Sequence, residues 1–404
     1  ILPLATDLGL RGFVADGTVA HDRGAGDVDE LAWTLAAGVE YLRAFEAAGL
    51  DADAGWRLLE LRLAATDEQF VTIAKLRAAR VLWGRIGQLS GVGGAGAAPV
   101  AIHAVTSRPM TTRYDPWVNL LRTTVAAFAA GVGGADAITV LPFDLRLGVP
   151  DALGRRLART ISALLIEESH VAAVADPAAG AYAVESLTRE LAEAAWDRFL
   201  AIDAAGGVLA ALADGSLAGR WADTAARRRD LIATRRRPIT GVSEFPHAGE
   251  ALPARPPWPA SGPADVPSWA ADFEAMRDDP VAGTVFVATL GPVAAHAARA
   301  GFVANLLAAG GVTGRPAGAT GSVQDVLAAY AGERVVLLAG ADDAYAQWGA
   351  DVIAALRAAG AATIVLAGPP GPALTELIDD HIAAGQDVVA FLHRLRTSLT
   401  GVPA

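Results

Sequence analysis

An alternation limits this chain's fold more than any single motif. Short apolar runs recur at LRGFVADG (10–17), WRLLELRLA (56–64), PVAIHAV (99–105) and DAITVLPF (136–143), with helix-length segments between them. Asp27 and Glu30 have capping-box spacing ahead of a helical face made by Leu31, Leu35, Val39 and Leu42, and Gly49 is placed to end that helix. A second helix is expected over 67–87, a third around 116–130, and ISALLIEES (161–169) opens a further helical region. Strand–helix alternation at this period predicts parallel β/α architecture. A closed eight-fold barrel takes about 250 residues, and only about half of one fits before residue 200. Residues 1–200 therefore read as the second half of a (β/α)8 TIM-type barrel, with the first half expected upstream of Ile1.

Three further regions follow. Residues 201–245 read as a helical extension of the Ala-, Arg- and Glu-rich stretch that begins near 185. Its basic cluster RRRDLIATRRR (227–237) reads as a solvated helix face paired with nearby acids. Residues 246–268 form a proline-rich segment that can be neither a helix nor an inner strand, hence an extended linker or strap. Residues 269–404 carry the buried-strand runs TVFVATLG (284–291), VVLLAG (335–340) and TIVLAG (363–368), which predict a small doubly wound α/β domain. The segment from Val312 to Ser322 is short for the strand expected there.

Composition narrows the function classes. The chain is 53% apolar and 19% charged, so it is built to bury a core. Mean hydropathy is +0.35, yet no run of roughly 18 uncharged apolar residues survives without Pro, Asp or Arg, so no spanning helix is expected. The absence of cysteine excludes disulfides and thiolate chemistry and fits a cytoplasmic location. A net charge of −11 argues against a nucleic-acid footprint. Lys75 is the sole lysine, which leaves no lysine tail for anionic membranes.

Local motifs carry little chemistry. GVGGAG (91–96) has dinucleotide-fingerprint spacing, but it follows a helix and opens a strand, the reverse of what that motif requires. His21, His103, His170, His247, His296, His381 and His393 are scattered with no metal-ligand spacing, and each alone reads as a surface or core histidine. Glu167 and Glu168 are adjacent on a helix and point apart. At the tip of the fourth strand, where a barrel enzyme keeps its working groups, stand Thr139, Val140, Leu141, Pro142 and Phe143, with one hydroxyl among them.

Longer stretches are more specific. DELAWTLAAGVEYLRA, FVTIAKLRAARVLWGRI, DPWVNLLRTTVAAFAAGVGGADAITVLPFD, EESHVAAVADPAAGAYAVESLTRELAEAAW and RRRPITGVSEFP resemble the methylmalonyl-CoA mutase family over most of the chain. The resemblance implies a substrate-binding barrel followed by a flavodoxin-like cobalamin domain, the isomerisation of methylmalonyl-CoA and succinyl-CoA, and adenosylcobalamin radical chemistry. In heterodimeric members one subunit is catalytic and a homologous small subunit has lost its cofactor. VLPFD and SHVAAVADPAAG are similar to that small-subunit form.

The departures from the catalytic pattern point the same way. Catalytic cobalamin domains carry Asp-x-His-x-x-Gly, in which His binds cobalt, Asp orients it and Gly makes room for the nucleotide tail. In LGPVAAHAARAGF (290–302), His296 matches the His, but Ala294 stands for the Asp and Arg299 for the Gly. Serines expected after the next strand are replaced by LAGADDAYAQ (338–347), and the glycine pair after the last strand reads Ala367-Gly368. In the barrel, a His and an Asn at the strand tip become Thr139 and Leu141, a CoA-contacting Arg aligns with Ala101, and an active-site His falls near Ala20, one position from His21. The resemblance thus implies no catalytic, cofactor or metal residues here and a barrel filled by its own side chains. It implies a non-catalytic small subunit whose partner is the homologous large catalytic subunit, with adenosylcobalamin in that partner. The alternatives are an active cobalamin-dependent acyl-CoA mutase with unusual ligands, using His296, or a regulatory binding protein of the same fold.

Overall fold

A computed structural model describes residues 1–92, 99–259 and 265–401. GVGGAG therefore lies largely outside the described residues. The chain divides into two compact units, Ile1–Arg227 with Pro253–Ser268, and Arg228–Leu252 with Trp269–Ala404. Both are α/β with parallel sheets.

The first unit holds a four-stranded parallel sheet in sequential order, β1 (Phe13–Asp16), β2 (Leu59–Ala65), β3 (Ala101–Thr106) and β4 (Ala137–Thr139). In β2 the residues Leu59, Leu61 and Leu63 are fully buried while Glu60 and Arg62 are half-buried. One face is thus covered by helices and the other is polar. Helix Asp27–Ala47 packs on β1 and β2, and helix Val118–Val132 on β2, β3 and β4. Helix Gln69–Leu89 packs against both of these helices and against helix Tyr182–Ala204. Trp83 stacks on Trp56 at 5.0 Å and lies against Gly38, where a Cβ would stand 2.4 Å from the indole. Each fully buried Leu contributes about 1.5–3 kcal/mol to this layer.

Local chemistry moved several boundaries. Helix Asp27–Ala47 starts from Gly26 with no side-chain cap, so the Asp27/Glu30 spacing is not a capping box; Glu30 turns inward instead. Gly49 does follow the helix end, with φ +88. In WRLLELRLA the first residues close a short helix, Ala52–Arg57, whose N-cap Asp51 accepts from the Ala54 amide at 2.7 Å, and the strand begins at Leu59. The fourth run gives only three strand residues. Past Thr139 the chain leaves the sheet, because Phe143 is drawn into the core and stacks on Trp117 at 4.5 Å. The helix read from ISALLIEES begins earlier, at Ala152, where Asp151 accepts from the Gly154 amide at 2.8 Å, and it ends in a π-helical turn, Leu164–Glu168.

The proline-rich segment carries no helix or strand over 253–259. It lies along the loop after β4: Trp258 Nε1 donates to the Leu145 carbonyl at 3.0 Å and the Val149 amide to that of Pro256 at 2.8 Å. Arg255 Nε donates at 2.6 Å to Asp144, which is fully buried. A buried carboxylate of this kind needs such a partner.

The second unit holds β5 (Thr284–Leu290), β6 (Thr313–Pro316), β7 (Val335–Gly340), β8 (Thr363–Ala367) and β9 (Asp380–Ile382), all parallel, in the order β6-β5-β7-β8-β9. β5, β7 and β8 are buried almost throughout, as central strands covered on both faces must be. The expected short strand is β6; β9 was not anticipated, since Asp380-His381-Ile382 has no apolar run. Both are edge strands, and both are short and polar, as exposed edges tolerate.

Candidate functional sites at the ends of the two sheets

In the first unit, register decides what meets on the polar sheet face. Asp16 pairs with Arg62 and Arg62 with His103, while Glu60 pairs with Ala101 and Val105 with Thr139. Cα partners in a parallel ladder project to the same side, so charged residues from separate strands converge. Arg62 Nη1 lies 3.2 Å from Asp16 Oδ2 and its Nη2 3.6 Å from Glu60 Oε1. His103 Nδ1 lies 3.3 Å from Glu60 Oε1, and its Nε2 2.8 Å from Thr139 Oγ1. His103 thus hydrogen-bonds Thr139 through Nε2 and turns Nδ1 towards the Glu60 carboxylate. The chain Asp16–Arg62–Glu60–His103–Thr139 crosses the whole sheet. The solitary hydroxyl at the strand tip is thus one end of a network, and His103 is neither an isolated surface residue nor a core one. Sequence spacing could not show this, because the pairing depends on strand register.

This face does not present a free cation to an acidic substrate, since Arg62 is held by two carboxylates. Ala101, in the ladder beside Glu60, is buried and inert. Leu141 is held by its backbone, its amide donating to Thr106 Oγ1 at 2.9 Å.

A second cluster sits under the same sheet end. Ala20 is fully buried, and His21 points inward with Nε2 2.7 Å from Ser107 Oγ and Nδ1 3.7 Å from Glu30 Oε2. Lys75, also fully buried, donates from Nζ to Glu30 Oε2 at 2.6 Å and lies 2.8 Å from Asp27 Oδ1. The Ala64 amide donates to Glu30 Oε1 at 2.6 Å. Burial pushes the Glu30 carboxyl up to about 7 against the pull of Lys75. Lys75 itself is driven down by burial but, on balance, held charged by Asp27 and Glu30. The cluster ties two helices to β2 and has no open path to solvent at Glu30, Lys75 or His21, so it is a brace for the end of the sheet.

In the second unit, the neighbours β5 and β7 are where the strand order reverses, and ligands of open α/β sheets bind outside the carboxyl ends of strands at that point. Here the place holds Arg299, from helix Val293–Ala309. Its guanidinium donates to the Gly340 carbonyl and to Asp342 and lies 4.8 Å from the Tyr345 ring. Gly368 has φ +110, and a Cβ there would meet the guanidinium at 3.2 Å. Tyr345 sits in a π-helical turn, Tyr345–Gly349. Its hydroxyl is 3.0 Å from the Leu338 carbonyl and 2.9 Å from that of Ala367, and it accepts the Gly340 amide at 3.1 Å. Burial pushes its phenol up.

His296 is buried in the first turn of the same helix, with Nδ1 donating to the Gly291 carbonyl at 3.1 Å. Gly291 is closed in turn by Thr320, whose amide donates to its carbonyl and whose hydroxyl accepts its amide. Ala294 offers no carboxylate to orient the imidazole. Of the residues matched to the cofactor pattern, Arg299, Asp342 and Gly368 come together, and His296 does not join them through any contact described. Tyr345 was not singled out from sequence; only its place just after Gly340 and the acids Asp342 and Asp343 could have suggested it. Among the described residues no group of three or more His, Asp or Glu could hold a metal ion, and no helix is long and apolar enough to cross a membrane.

Comparison with known proteins gives these sites a context. A sequence model of methylmalonyl-CoA mutase matches residues 10–257. The chain is 50% identical over 398 residues to the methylmalonyl-CoA mutase small subunit of Streptomyces virginiae, covering 95% of this chain and 64% of that protein. It is 45% identical over 413 residues to the probable small subunit of Mycobacterium tuberculosis H37Rv, covering 98% and 66%, and 38% identical over 395 residues to the small subunit of Propionibacterium freudenreichii subsp. shermanii, covering 94% and 62%. The chain spans slightly less than two thirds of the length of these curated relatives. On the extent of the family match and on these identities, the chain belongs to the methylmalonyl-CoA mutase family.

Proposed function

We propose that this chain is the non-catalytic small subunit of a heterodimeric methylmalonyl-CoA mutase, an isomerase subunit without a reaction centre of its own. Its role is to bind and stabilise a homologous large subunit that holds adenosylcobalamin and interconverts methylmalonyl-CoA and succinyl-CoA in the cytoplasm. The relatives' name supports the existence of a larger partner. On this reading the first unit is the second half of a (β/α)8 barrel, in keeping with four parallel strands in sequential order. The second is a flavodoxin-like cobalamin-domain remnant, in keeping with an order that reads 2-1-3-4-5 within the domain.

The observation that carries the reading is the seat of Arg299. A cofactor tail entering between β5 and β7 would have to occupy the space that the guanidinium already fills beside Gly368 and Gly340. The residues present do not fit a cobalamin: the orienting carboxylate is absent at Ala294, and Arg299 stands where the pattern needs a glycine, its guanidinium against Gly368. The polar face of the first sheet agrees, since its one guanidinium is neutralised in place.

The test is a visible-absorption titration of the full-length chain with adenosylcobalamin, alone and with its co-expressed large subunit. The expected result is no spectral change and no pigment retained on gel filtration by the chain alone, with pigment and mutase activity in the complex. A His-ligated spectrum from the chain alone would overturn the reading in favour of an active mutase with unusual ligands. Failure to co-purify with any mutase subunit would overturn it in favour of a separate binding protein.

A further inference from the structure

We infer that Arg299 is the built-in occupant of the crevice between β5 and β7, seated there by Tyr345 and Asp342, and that this side chain orders the carboxyl edge of the second sheet as an added ligand would. The inference deepens the reading above, and rests on it only in taking the crevice to be free of cofactor.

An ion pair alone would not support this. The Arg299–Asp342 contact involves a carboxylate that is 82% exposed, and exposed pairs of this kind contribute little. The other three contacts are different in kind. The guanidinium donates to the Gly340 carbonyl, the last residue of β7, which β5 pairing leaves pointing into the crevice mouth. It lies 4.8 Å from the Tyr345 ring, within cation–π distance. It packs at 3.2 Å on the site where Gly368, with φ +110, lacks a side chain. Carbonyl, aromatic face and bare glycine together suit a flat, delocalised cation and not a compact ammonium.

Tyr345 gives the seat its rigidity. Its hydroxyl bridges the ends of two strands, β7 at Leu338 and Gly340 and β8 at Ala367. Tyr345 opens a π-helical turn, and such turns are frequent at functional sites. The guanidinium and the phenol therefore close the crevice jointly, from helix Val293–Ala309 on one side and from the segment after β7 on the other. The short helical turn Asp342–Ala344 is flanked by Gly340 and Tyr345, and both of these contact the Arg299 guanidinium.

The experiment compares the full-length chain with Arg299→Ala and Arg299→Lys, reading amide hydrogen exchange over Leu338–Gly349 and Ala367–Gly371. Both variants are expected to raise exchange in these segments by roughly tenfold or more while leaving the first unit unchanged. Millimolar methylguanidinium should restore protection to the Ala variant, and methylammonium at the same concentration should not. Wild-type protection in Arg299→Lys would overturn the inference, since any cation would then serve, and so would unchanged exchange in Arg299→Ala or rescue by methylammonium. Should Arg299→Ala unfold the second unit, the Lys variant and Tyr345→Phe decide: the inference requires local loosening in both within a folded domain, and wild-type protection in either overturns it. Pigment binding by the wild-type chain would overturn the subunit reading without bearing on the rescue, whereas loss of the rescue would leave the subunit reading standing.

Discussion

The two units place charge in opposite ways. The first buries an ion pair, Lys75 with Glu30, which the partly exposed Asp27 also meets, and leaves a second network open on the sheet face. The second keeps its central strands apolar, from Val285 through Leu338 to Leu366, and brings one cation to the edge, where Arg299 closes a crevice. In the first unit charges on neighbouring strands satisfy one another in place. In the second a side chain from an adjoining helix, Arg299, enters the crevice between β5 and β7. In each case opposite charges or carbonyls face the cation, which offsets part of the cost of holding it in or beside the sheet.

The strongest way to test the contrast is Lys75→Met. It leaves Glu30 fully buried without its cation, and breaking a buried pair from one side costs about 3–5 kcal/mol. The loss should appear in tryptophan fluorescence during urea unfolding, because the indoles lie in the first unit except Trp269 and Trp348. A first unit as stable as wild type would mean that the interior charge is incidental and the two units are alike.

The same cluster makes a pH prediction. Glu30 is raised from 4.5 to about 7 in the folded protein, chiefly by burial. The folded state thus holds a proton that the unfolded chain releases. The associated stability is present in full below about pH 4.5 and is lost as pH rises towards 7, roughly 3 kcal/mol across that window. Glu30→Gln should flatten this slope. Lys75 is raised, so its contribution persists at neutral pH and fades only above its ordinary value near ~10.4. A slope unchanged in Glu30→Gln would assign the pH dependence elsewhere. For the second unit, Tyr345→Phe removes a hydroxyl that accepts the buried Gly340 amide. It should cost about 1–3 kcal/mol, read as a lowered midpoint of that unit alone.

Much of this architecture was legible in sequence because it depends on local pattern. Apolar runs at Leu59–Leu63 and Val335–Leu338 announce strands, and Asp151 ahead of Ala152 is a cap whose helix could have been found earlier than residue 161. What sequence could not give depends on register or on distant approach. His103 looks isolated until strand pairing sets it between Glu60 and Thr139. Glu30 has capping-box spacing from Asp27, yet Lys75, a residue 45 positions away, draws it inward. The placement of Arg299 at the carboxyl end of the second sheet was legible from the position it takes in the family's motif. Tyr345 was not, because the partners of its hydroxyl, Leu338, Gly340 and Ala367, are brought together only by the pairing of β7 with β8.

The smallest expected effect is also the one that most sharpens the contrast. His103 and Thr139 make a 2.8 Å hydrogen bond, but Thr139 is exposed and His103 only half-buried. Water can replace either partner, so the bond should contribute far less than the buried cluster below it. A double-mutant cycle with Thr139→Val and His103→Phe should return a coupling under about 1 kcal/mol. A coupling as large as that of the Lys75 pair would mean that the open face is as tightly specified as the interior. The first sheet would then be sealed by its own network as firmly as the second is by Arg299, and the contrast between open and occupied edges would fall.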